Sequence, residues 1–346
     1  MTSGRLVLGL ESTCDDTCAA VVRDGVEVLS NVVSSQEELH RRYGGVVPEI
    51  ASRAHLESVL PVLAEALRVS GSRLQELDAV AVADRPGLIG GLLVSTTTAK
   101  CICEWAGVPL VPVNHIHAHL YAGIMASPSW EPPAVALTAS GGHTLIYLVE
   151  SPTSFKRLGG TIDDAGGEAF DKGANMLGLK GQGGAALDRL AAKGNPRAIR
   201  FPRPLIGKEG YDFSFAGLKT ALLYHLYGPG VTAEAITGLS LTEGQLADVA
   251  ASYQQAICDV LTAKAMRAAA DFNARTLFVT GGVAANSRLR SQIAGECQAA
   301  GIRSVFPAMS LCTDNAAMIA GLGWHLLRAG VTAELSLEPS ARAEED

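Results

Sequence analysis

The sequence predicts an α/β protein made of two similar lobes, and three observations lead to this prediction. The chain has 346 residues, of which 48% are hydrophobic, so it is long enough to bury one large core or two ordinary ones. Two segments, 5–25 and 133–151, read as strand, polar turn and strand. Two others, 77–107 and 275–301, read as strand, glycine turn and helix. The same series of elements therefore occurs twice, which indicates a duplicated fold.

This repeated pattern is typical of the actin-like, sugar-kinase-like and Hsp70-like (ASKHA) architecture, in which paired hairpin turns face each other across bound phosphates. We therefore expect the active site in a cleft between two lobes. The predicted N-terminal lobe covers 1–130 and is joined by a C-terminal helix at about 313–335. The predicted C-terminal lobe covers 131–312, contains an irregular insertion at about 180–240, and is followed by a flexible tail at 336–346.

Two amphipathic segments between the strands are predicted to be scaffold helices. The first, 48–71, opens with Pro48 and closes near Gly71, as helices commonly do. The second, 243–272, has the longest amphipathic pattern of the chain. We expect both to support the site and not to form it.

Composition excludes several classes of protein. With 28 Lys and Arg against 35 Asp and Glu, the net charge is −7, so the chain lacks the overall basic character of an autonomous nucleic-acid-binding protein. The seven cysteines form no C-x-x-C pair, which favours free thiols in a reducing compartment and therefore the cytoplasm. No apolar run of about eighteen residues is present, so we expect neither secretion nor a membrane span.

Basic residues concentrate in the segment 180–215, against the acidic balance of the chain. They are Lys193, Arg197, Arg200, Arg203 and Lys208. A solvated loop and a contact with a phosphate backbone explain this run equally well.

The histidines of 115–119 are the first candidate for a metal site. Asn114 is a good helix cap, so a helix is predicted to begin directly after it. On that helix His115 and His119 are separated by four positions and share one face, whereas His117 points elsewhere. The pair makes half of a metal site, or a helix start with hydrogen-bonded histidines. Ile116 occupies the position at which an H-E-x-x-H metalloprotease needs glutamate, which excludes that class.

A third ligand is expected from an acidic residue at the end of an element in the other lobe. Thr313 or Asp314 precedes the helical run 315–327, where a carboxylate can point outwards or simply cap the helix. Two histidines and one aspartate leave coordination positions open, which suits catalytic Zn²⁺ or Fe²⁺ better than a structural ion.

Glycine turns supply candidate anion sites. In 138–144, Gly141 and Gly142 let backbone N–H groups approach a phosphate or acyl oxygen, although an ordinary hairpin turn has the same pattern. In 279–289, two glycines follow a strand, and Asn286 is predicted on the following helix. That arrangement suits a nucleotide held near a helix N-terminus.

Two acidic segments have both a functional and an ordinary interpretation. The segment 159–179 is dense in acids and glycines, and Asp171 and Lys172 are predicted at a helix start, where they could hold a ribose or order a loop. A solvated acidic loop is the alternative. Asp15 and Asp16 lie in the first hairpin turn, either as surface residues or as groups that orient a metal or a substrate amine.

Eight motifs occur in order along the chain and together resemble one family. They are E-S-T-C-D-D-T (11–17), Y-G-G-V-V-P-E-I-A-S-R (43–53), H-I-H-A-H (115–119), S-G-G-H-T (140–144), I-D-D-A-G-G-E-A-F-D-K (162–172), D-F-S-F-A-G-L-K-T (212–220), G-G-V-A-A-N (281–286) and C-T-D-N-A-A-M-I-A (312–320). The chain resembles the TsaD family, formerly called the O-sialoglycoprotein endopeptidase or glycoprotease family, from about residue 5 to about residue 335.

The resemblance implies a tRNA N6-adenosine threonylcarbamoyltransferase. Its implied substrate is threonylcarbamoyl-AMP, which a separate synthase makes upstream from threonine, bicarbonate and ATP. The implied acceptor is N6 of adenosine 37 in the anticodon loop of tRNAs that read codons beginning with A, and AMP leaves. The resemblance also implies one divalent ion per subunit, Fe²⁺ or Zn²⁺, with ATP and Mg²⁺ in the complex. Implied partners are the tRNA, a TsaB-like paralogous subunit and a TsaE-like ATPase.

The resemblance also assigns residues. The implied metal ligands are His115, His119 and Asp314. The implied substrate-binding residues are Thr138, Ala139, Ser140, Gly141, Gly142, Asp171, Gly184, Asp188 and Asn286. Asp15 matches an acidic residue of the family's active site. The chain departs from the family pattern at Ala185, where proline is usual, and at Arg85, where glycine is usual; we assign His117 no role.

Two other classes of function stay open at this point. A carbamoyltransferase or kinase of the same fold that acts on a small molecule would keep the phosphate loops, but would not need the histidine pair and would turn over without tRNA. A non-catalytic scaffold should lack the metal-ligating residues, which this sequence retains.

Overall fold

The computed structural model describes most of the chain. The described residues are 4–41, 43, 45–179, 183–228 and 241–342. Parts of the predicted insertion and tail lie outside them, namely 180–182, 229–240 and 343–346. The chain divides into a first unit, Met1–Ser129 with Ser151–Ser154 and Pro307–Asp346, and a second unit, Trp130–Glu150 with Phe155–Phe306. Among the described helices, none has the length and apolar character that crossing a membrane requires.

Strands and helices alternate along both units. The strands are β1 (Leu6–Glu11), β2 (Asp16–Arg23), β3 (Glu27–Ser35), β4 (Ala79–Arg85), β5 (Leu110–Asn114), β6 (Ala134–Ala139), β7 (Thr144–Ser151), β8 (Ser154–Gly160), β9 (Thr276–Thr280) and β10 (Arg303–Val305). The helices are α1 (Glu37–Arg41), α2 (Pro48–Ser70), α3 (Ile89–Ala106), α4 (His115–Ala126), α5 (Gly166–Met176), α6 (Gly183–Ala191), α7 (Ala216–Tyr227), α8 (Glu243–Asp271), α9 (Ser287–Ala300) and α10 (Ala316–Arg328).

Each unit contains one five-stranded mixed sheet, and the two sheets have the same strand order. The order is β3-β2-β1-β4-β5 in the first unit and β8-β7-β6-β9-β10 in the second. In both, the first hairpin is antiparallel, and the later two strands run parallel to its first strand. The predicted duplicated α/β fold is therefore confirmed, together with both hairpins and both strand-turn-helix segments.

The close packing of α10 on β1 positions the end of the chain in the first unit. A Cβ at Gly9 of β1 would lie 2.3 Å from the backbone oxygen of Ala316 and 2.8 Å from the nitrogen of Ala320. Glycine at this position lets α10 approach the sheet at backbone distance. The residues just before α10 are therefore held near the carboxyl end of β1.

Helix ends follow the signals in the sequence. Helix α2 begins at Pro48 and ends before Gly71, whose φ of 67° is the left-handed conformation that glycine adopts readily at a helix end. Helix α8 begins after Thr242, which forms a reciprocal capping box with Gln245. Both predicted helices are confirmed.

The C-terminal segment after α10 contacts the first unit. Leu337 packs against the buried cluster of that unit, and the backbone N–H of Ser340 donates to the carbonyl of Asp84 at 2.8 Å.

All seven cysteines are free thiols, as predicted.

Candidate metal centre and anion-binding residues

The junction between β5 and α4 presents the two histidines. The side chain of Asn114 accepts hydrogen bonds from the backbone N–H groups of Ile116 and His117, at 2.8 and 3.2 Å, and so caps α4 as predicted. His115 and His119 lie one turn apart, with ring centroids separated by 4.6 Å and rings nearly perpendicular at 86°. Both are almost completely buried.

Asp314 completes a group of three possible metal ligands. Its Oδ1 lies 3.1 Å from Nε2 of His119 and 3.7 Å from Nε2 of His115. One donor atom from each residue lies within 4.8 Å of the others. Two imidazoles and a carboxylate are a donor set that divalent Zn²⁺ or Fe²⁺ accepts, so this group can hold a metal ion.

The sequence-based expectation that the acid comes from the other lobe is wrong. Asp314 belongs to the first unit, as do both histidines, because the chain returns to that unit at Pro307. The alternative of a plain helix cap is also wrong, since the side chain of Asn315 accepts from the N–H of Met318 at 3.0 Å and caps α10. The carboxylate of Asp314 therefore does not cap the helix and faces the two histidines.

A buried carboxylate supports His115 from behind, and sequence reasoning missed it. Oε2 of Glu11, a residue only 1% exposed, lies 2.9 Å from Nδ1 of His115. The N–H of Thr13 donates to Oε1 of Glu11 at 2.6 Å and fixes that carboxylate. Because Nδ1 is engaged by Glu11, His115 presents Nε2 towards Asp314. A carboxylate that binds the second ring nitrogen is the usual support for a metal-bound histidine.

A signal for Glu11 does exist in the sequence. Glu11 ends β1, and His115 directly follows β5. Both strands run parallel to β4, so their carboxyl ends lie at one edge of the sheet. Polar residues that follow parallel strands meet at that edge.

The electrostatics of the first unit favour a cation at these three residues. Burial lowers the pKa of His115, but the carboxylates of Glu11 and Asp314 outweigh burial and raise that pKa to about 9. Nδ1 of His119 is buried and has no hydrogen-bond partner among the described residues, while Nε2 of the same ring contacts Asp314, another member of the ligand group. The donor chemistry and the surplus of negative charge therefore both fit a divalent ion.

The E-S-T-C-D-D-T turn adds acidic groups to the same unit. Burial raises the pKa of Asp16 to about 6, and a hydrogen bond with Ser35 offsets only part of that rise. Asp15 is half-buried. Burial, followed by the charge of Asp15, raises the pKa of the Cys14 thiol. Cys14 therefore stays protonated near neutral pH and is a poor nucleophile.

In the second unit, the predicted substrate-binding residues Thr138 and Ala139 end strand β6 and are fully buried. Oγ1 of Thr138 lies 2.8 Å from Oγ1 of Thr280 on β9, so this side chain is used inside the sheet. Gly281 follows β9 with a φ of 83°, and a Cβ there would lie 2.4 Å from the oxygen of Ala139. The glycine lets the two strand ends lie in backbone contact.

The turn after β6 is a hairpin turn, and its backbone is accessible. The N–H of Ser140 donates to the carbonyl of His143 at 2.7 Å. A Cβ at Gly141 or Gly142 would meet no atom within 4 Å. Both glycines are exposed, so a phosphate or acyl oxygen can approach the backbone of this turn closely.

Asp171, Gly184 and Asp188 lie on connected elements of the second unit. The N–H of Gly184, in the first turn of α6, donates to Oδ1 of Asp171 at 2.8 Å. Asp188, also on α6, accepts from the N–H and hydroxyl of Ser287 at 3.1 and 2.8 Å. The prediction that Asp171 and Lys172 begin a helix is wrong, because α5 begins at Gly166, whose N–H bonds to a side chain of β7.

Asn286 caps α9 and precedes its first residue, Ser287. The prediction that Asn286 lies on this helix is therefore wrong. Its Oδ1 accepts from the N–H of Leu289 at 3.0 Å, and its Nδ2 donates to Gln254 at 2.8 Å. The residue is 8% exposed. The side-chain amide is therefore already engaged in positioning α9 against α8.

The acidic segment before α5 is not a solvated loop. Asp163 accepts from the N–H of Phe215 at 2.8 Å and so supports the start of α7. Asp164 pairs with Lys172 at 3.1 Å and with Lys219 at 2.7 Å. Burial raises the pKa of Asp164, but hydrogen bonds from the two lysines outweigh it and hold that pKa below its usual value. Lys172 thus ties α5 to this segment.

Comparison with known proteins shows the family to which the chain belongs. The family model described as "TsaD: tRNA N6-adenosine threonylcarbamoyltransferase" matches residues 27–321. A curated relative of that name from Geotalea uraniireducens is 50% identical over 93% of this chain and 91% of its own length. Another from Moorella thermoacetica is 47% identical over 90% of this chain and 89% of its own. The chain belongs to the TsaD family of tRNA N6-adenosine threonylcarbamoyltransferases.

Solved structures that resemble this TsaD-family chain support its fold. HypF from T. kodakarensis superposes with a TM-score of 0.61 at 17% identity, covering 94% of this chain and 48% of HypF. Component A of the (R)-2-hydroxyglutaryl-CoA dehydratase of Acidaminococcus fermentans gives a TM-score of 0.52 at 15% identity, with 93% and 98% covered. At such low identity the likeness concerns the ASKHA fold alone.

The two departures from the TsaD pattern occupy ordinary positions. Ala185 lies in the first turn of α6. The guanidinium of Arg85, at the end of β4, pairs with Asp84 at 2.6 Å. Neither residue belongs to the His115, His119 and Asp314 group.

Proposed function

We propose that the chain transfers the threonylcarbamoyl group of threonylcarbamoyl-AMP to N6 of adenosine 37 in tRNAs that read codons beginning with A. In this reaction the bond between the carbamoyl carbon and the phosphate oxygen breaks, and a bond from that carbon to N6 forms. AMP leaves with the electron pair of the broken bond, and N6 loses one proton. An exocyclic amine is a weak nucleophile, so the carbamoyl carbon must be polarised and the leaving phosphate stabilised.

The observation that supports this proposal most strongly is the convergence of His115, His119 and Asp314, with Glu11 behind His115. We assign these three side chains as the ligands of one Fe²⁺ or Zn²⁺ per subunit. When bound, such an ion supplies Lewis acidity and compensates negative charge on oxygen. Glu11 keeps Nε2 of His115 available, while Asn315 and Asn114 fix the helix starts that present the ligands.

In the second unit we assign Ser140, Gly141 and Gly142 to the acyl-phosphate part of the substrate, because their turn is open to close approach. The buried Thr138 and Ala139 then act by shaping the strand end. Asp171 and Asp188 are the proposed acceptors for ribose hydroxyls, alongside their bonds to Gly184 and Ser287. In this assignment Asn286 and Gly184 contribute mainly by holding α9 and α6.

Asp15 is the proposed acceptor of the proton that N6 loses. It is half-buried in the turn after β1, in the unit that holds the metal-ligand group. A carboxylate there can orient the amine and remove the proton as the new bond forms. Cys14 is excluded from this role because its thiol pKa is raised.

The proposal extends to the surroundings of the reaction. Because the net charge of −7 weakens the binding of tRNA by the chain alone at physiological salt, we propose that transfer also uses a TsaB-like subunit and a TsaE-like ATPase with ATP and Mg²⁺. A separate synthase must supply threonylcarbamoyl-AMP. The tRNA substrate and the free thiols support a cytoplasmic location.

The test is transfer of labelled threonine to tRNA by the purified chain, given a threonylcarbamoyl-AMP source and the proposed partners. His119→Ala and Asp314→Asn should each lower transfer by at least about 100-fold, because each removes a ligand of the activating ion. His117→Ala, on the same helix but outside the ligand group, is the matched control and should retain transfer.

The acceptor is tested with a tRNA in which adenosine 37 is replaced by guanosine, which should remain unlabelled. Unreduced transfer by both ligand variants would contradict the metal-assisted mechanism. Turnover of threonylcarbamoyl-AMP on a small acceptor without any labelling of tRNA would favour a small-molecule carbamoyltransferase of the same fold.

A further inference from the structure

We infer that an arginine-lined groove of the second unit binds the phosphate backbone of the tRNA, an inference that rests on the proposed function. The groove has a volume of about 900 Å³. We call it the arginine groove and define it by Arg197, Arg200, Arg203, Asp259 and Arg288. It contains none of the residues to which substrate or metal binding was assigned above.

The segment that forms one wall of the groove is fixed to α8 through its backbone. The N–H of Asn195 donates to Asp248 at 2.7 Å, and the N–H of Ile199 donates to Ser252 at 3.0 Å. Farther along, the ammonium group of the buried Lys264 donates to two backbone carbonyls, those of residues 208 and 210, at 3.0 and 2.8 Å. The basic run is therefore a held structure and not a solvated loop.

The arginines of the groove divide into two groups. Arg203 is used within the protein, since its Nε and Nη2 donate to Oδ2 of Asp259 at 3.0 and 2.8 Å. The side chains of Arg197 and Arg200 are exposed, and neither guanidinium has a hydrogen bond or ion pair with any described residue. The backbone of this segment is thus fixed by hydrogen bonds to α8, whereas the guanidinium groups of Arg197 and Arg200 take no part in holding it.

Arg288 extends the positive surface to a second recess. Its Nε donates to Gln255 at 2.6 Å, which orients the guanidinium and leaves its outer nitrogens available. Pro196, Gln255 and Arg288 also line an adjoining recess of about 300 Å³, together with Ser287 and Ser291 in the first turns of α9. The carboxylate of Asp188 already accepts from the N–H of Ser287 at the start of this helix, so the positive charge at that end comes from Arg288.

The distribution of charge selects a polyanion as the occupant. Arg203 and Asp259 compensate each other, so Arg197, Arg200 and Arg288 leave an uncompensated positive charge on a chain whose net charge is −7. Arg197 and Arg200 line the groove, and Arg288 lines both the groove and the adjoining recess, so the three cations together suit a ligand with several phosphates better than a single anion. Guanidinium groups also match phosphate oxygens with two parallel hydrogen bonds.

The test measures binding of an unmodified tRNA transcript to the full chain at several salt concentrations. The double variant Arg197→Gln/Arg200→Gln should bind roughly ten-fold more weakly or worse at low salt. The slope of log Kd against log salt should also fall by about 1 for each cation that contacted a phosphate. Arg288→Gln should change both quantities in the same direction.

Two controls separate this groove from general loss of charge and from the reaction itself. Lys156→Gln/Arg303→Gln removes two exposed cations elsewhere in the second unit and should leave affinity and slope nearly unchanged. His119→Ala should bind tRNA normally while losing transfer. In the transfer assay, the groove variants should raise the KM for tRNA and keep kcat at saturating tRNA.

Several outcomes would overturn the inference. They are unchanged affinity and slope in the groove variants, an equal loss in the control double variant, absence of tRNA binding by the unaltered chain at low salt, and displacement of tRNA by millimolar AMP or inorganic phosphate. Because binding is measured without threonylcarbamoyl-AMP, failure of the proposed reaction would leave this measurement decisive.

Discussion

At His115 the protein uses one ring nitrogen for support and leaves the other for a ligand. The bond from Nδ1 to Glu11 is made in a site from which water is almost excluded, since Glu11 is 1% exposed. A carboxylate in this position fixes the tautomer and the ring orientation and makes Nε2 more basic. The same arrangement orders the acidic turn that follows β1, because Thr13 donates to the other carboxylate oxygen.

We predict that Glu11→Gln weakens metal binding by about 10- to 100-fold. The amide keeps the size of the side chain but removes the charge that supports His115. Affinity is measured by competition with a chromophoric chelator, and Glu76→Gln, an exposed glutamate of the same unit, is the control. Equal affinities for the variant and the unaltered chain would show that Glu11 does not position the ligand.

At the scale of elements, the cap of α10 connects helix stability to ligand geometry. Asn315 is fully buried. It accepts from Met318 and donates to the carbonyl of Thr313 at 2.8 Å, so it holds the two residues before it as well as the helix after it. Asp314 lies between Thr313 and Asn315 in the chain, so these contacts fix its backbone.

We predict that Asn315→Ala lowers the free energy of unfolding by about 1–2 kcal/mol and also weakens metal binding. Thr242→Ala removes the matching cap of α8 in the second unit and should cost about 1 kcal/mol without changing metal affinity. Urea unfolding and chelator competition on both variants give the comparison. Equal metal affinities in the two variants would show that the cap of α10 does not position the metal ligands.

Helices and hairpins were predictable from the sequence because their signals are local. Pro48, Gly71 and Asn114 mark helix ends by backbone preferences that tertiary contacts did not override. The start of α5 was misplaced because its first N–H groups bond to Ser140 and Thr144. These partners come from another element, and no pattern inside 159–179 indicates them.

At the scale of the molecule, the buried His325 makes the stability of the folded protein depend on pH. Nε2 of His325 on α10 lies 3.0 Å from the hydroxyl of Tyr121 on α4, and that hydroxyl donates to the carbonyl of Gly25 at 2.9 Å. Burial, with a smaller contribution from Arg328, lowers the pKa of His325 from 6.5 to about 4. The folded protein therefore holds this imidazole neutral where the unfolded chain protonates it.

We predict that this histidine contributes a loss of stability as pH falls from 6.5 towards 4, with full stability above 6.5. The sign follows because the unfolded state binds the proton more tightly. In His325→Gln the loss of unfolding free energy between pH 7.5 and pH 5, measured in urea, should be smaller by on the order of 1 kcal/mol. An identical loss in the variant and the unaltered chain would assign the effect to other groups.

The candidate metal site was partly predictable from the sequence. His115 and His119 follow from helical spacing within one segment, whereas the position of Asp314 depends on the return of the chain to the first unit at Pro307. Glu11 was missed because its partner lies 104 positions away. The sequence marks Glu11 as the end of a strand, but its contact with His115 also depends on the strand order, which hydrophobic patterns do not encode.

The shared strand order of the two sheets allows a comparison position by position. The first strand of each sheet has six residues, and its last position is Glu11 in one sheet and Ala139 in the other. The residue just after the edge strand is His115 beyond β5 and Phe306 beyond β10. Equivalent positions of the two sheets thus carry a hydrogen-bonded carboxylate and histidine in the first sheet and apolar side chains in the second. The same backbone arrangement can therefore support a metal-ligating histidine in one sheet and an apolar end in the other, depending on the side chains at these two positions.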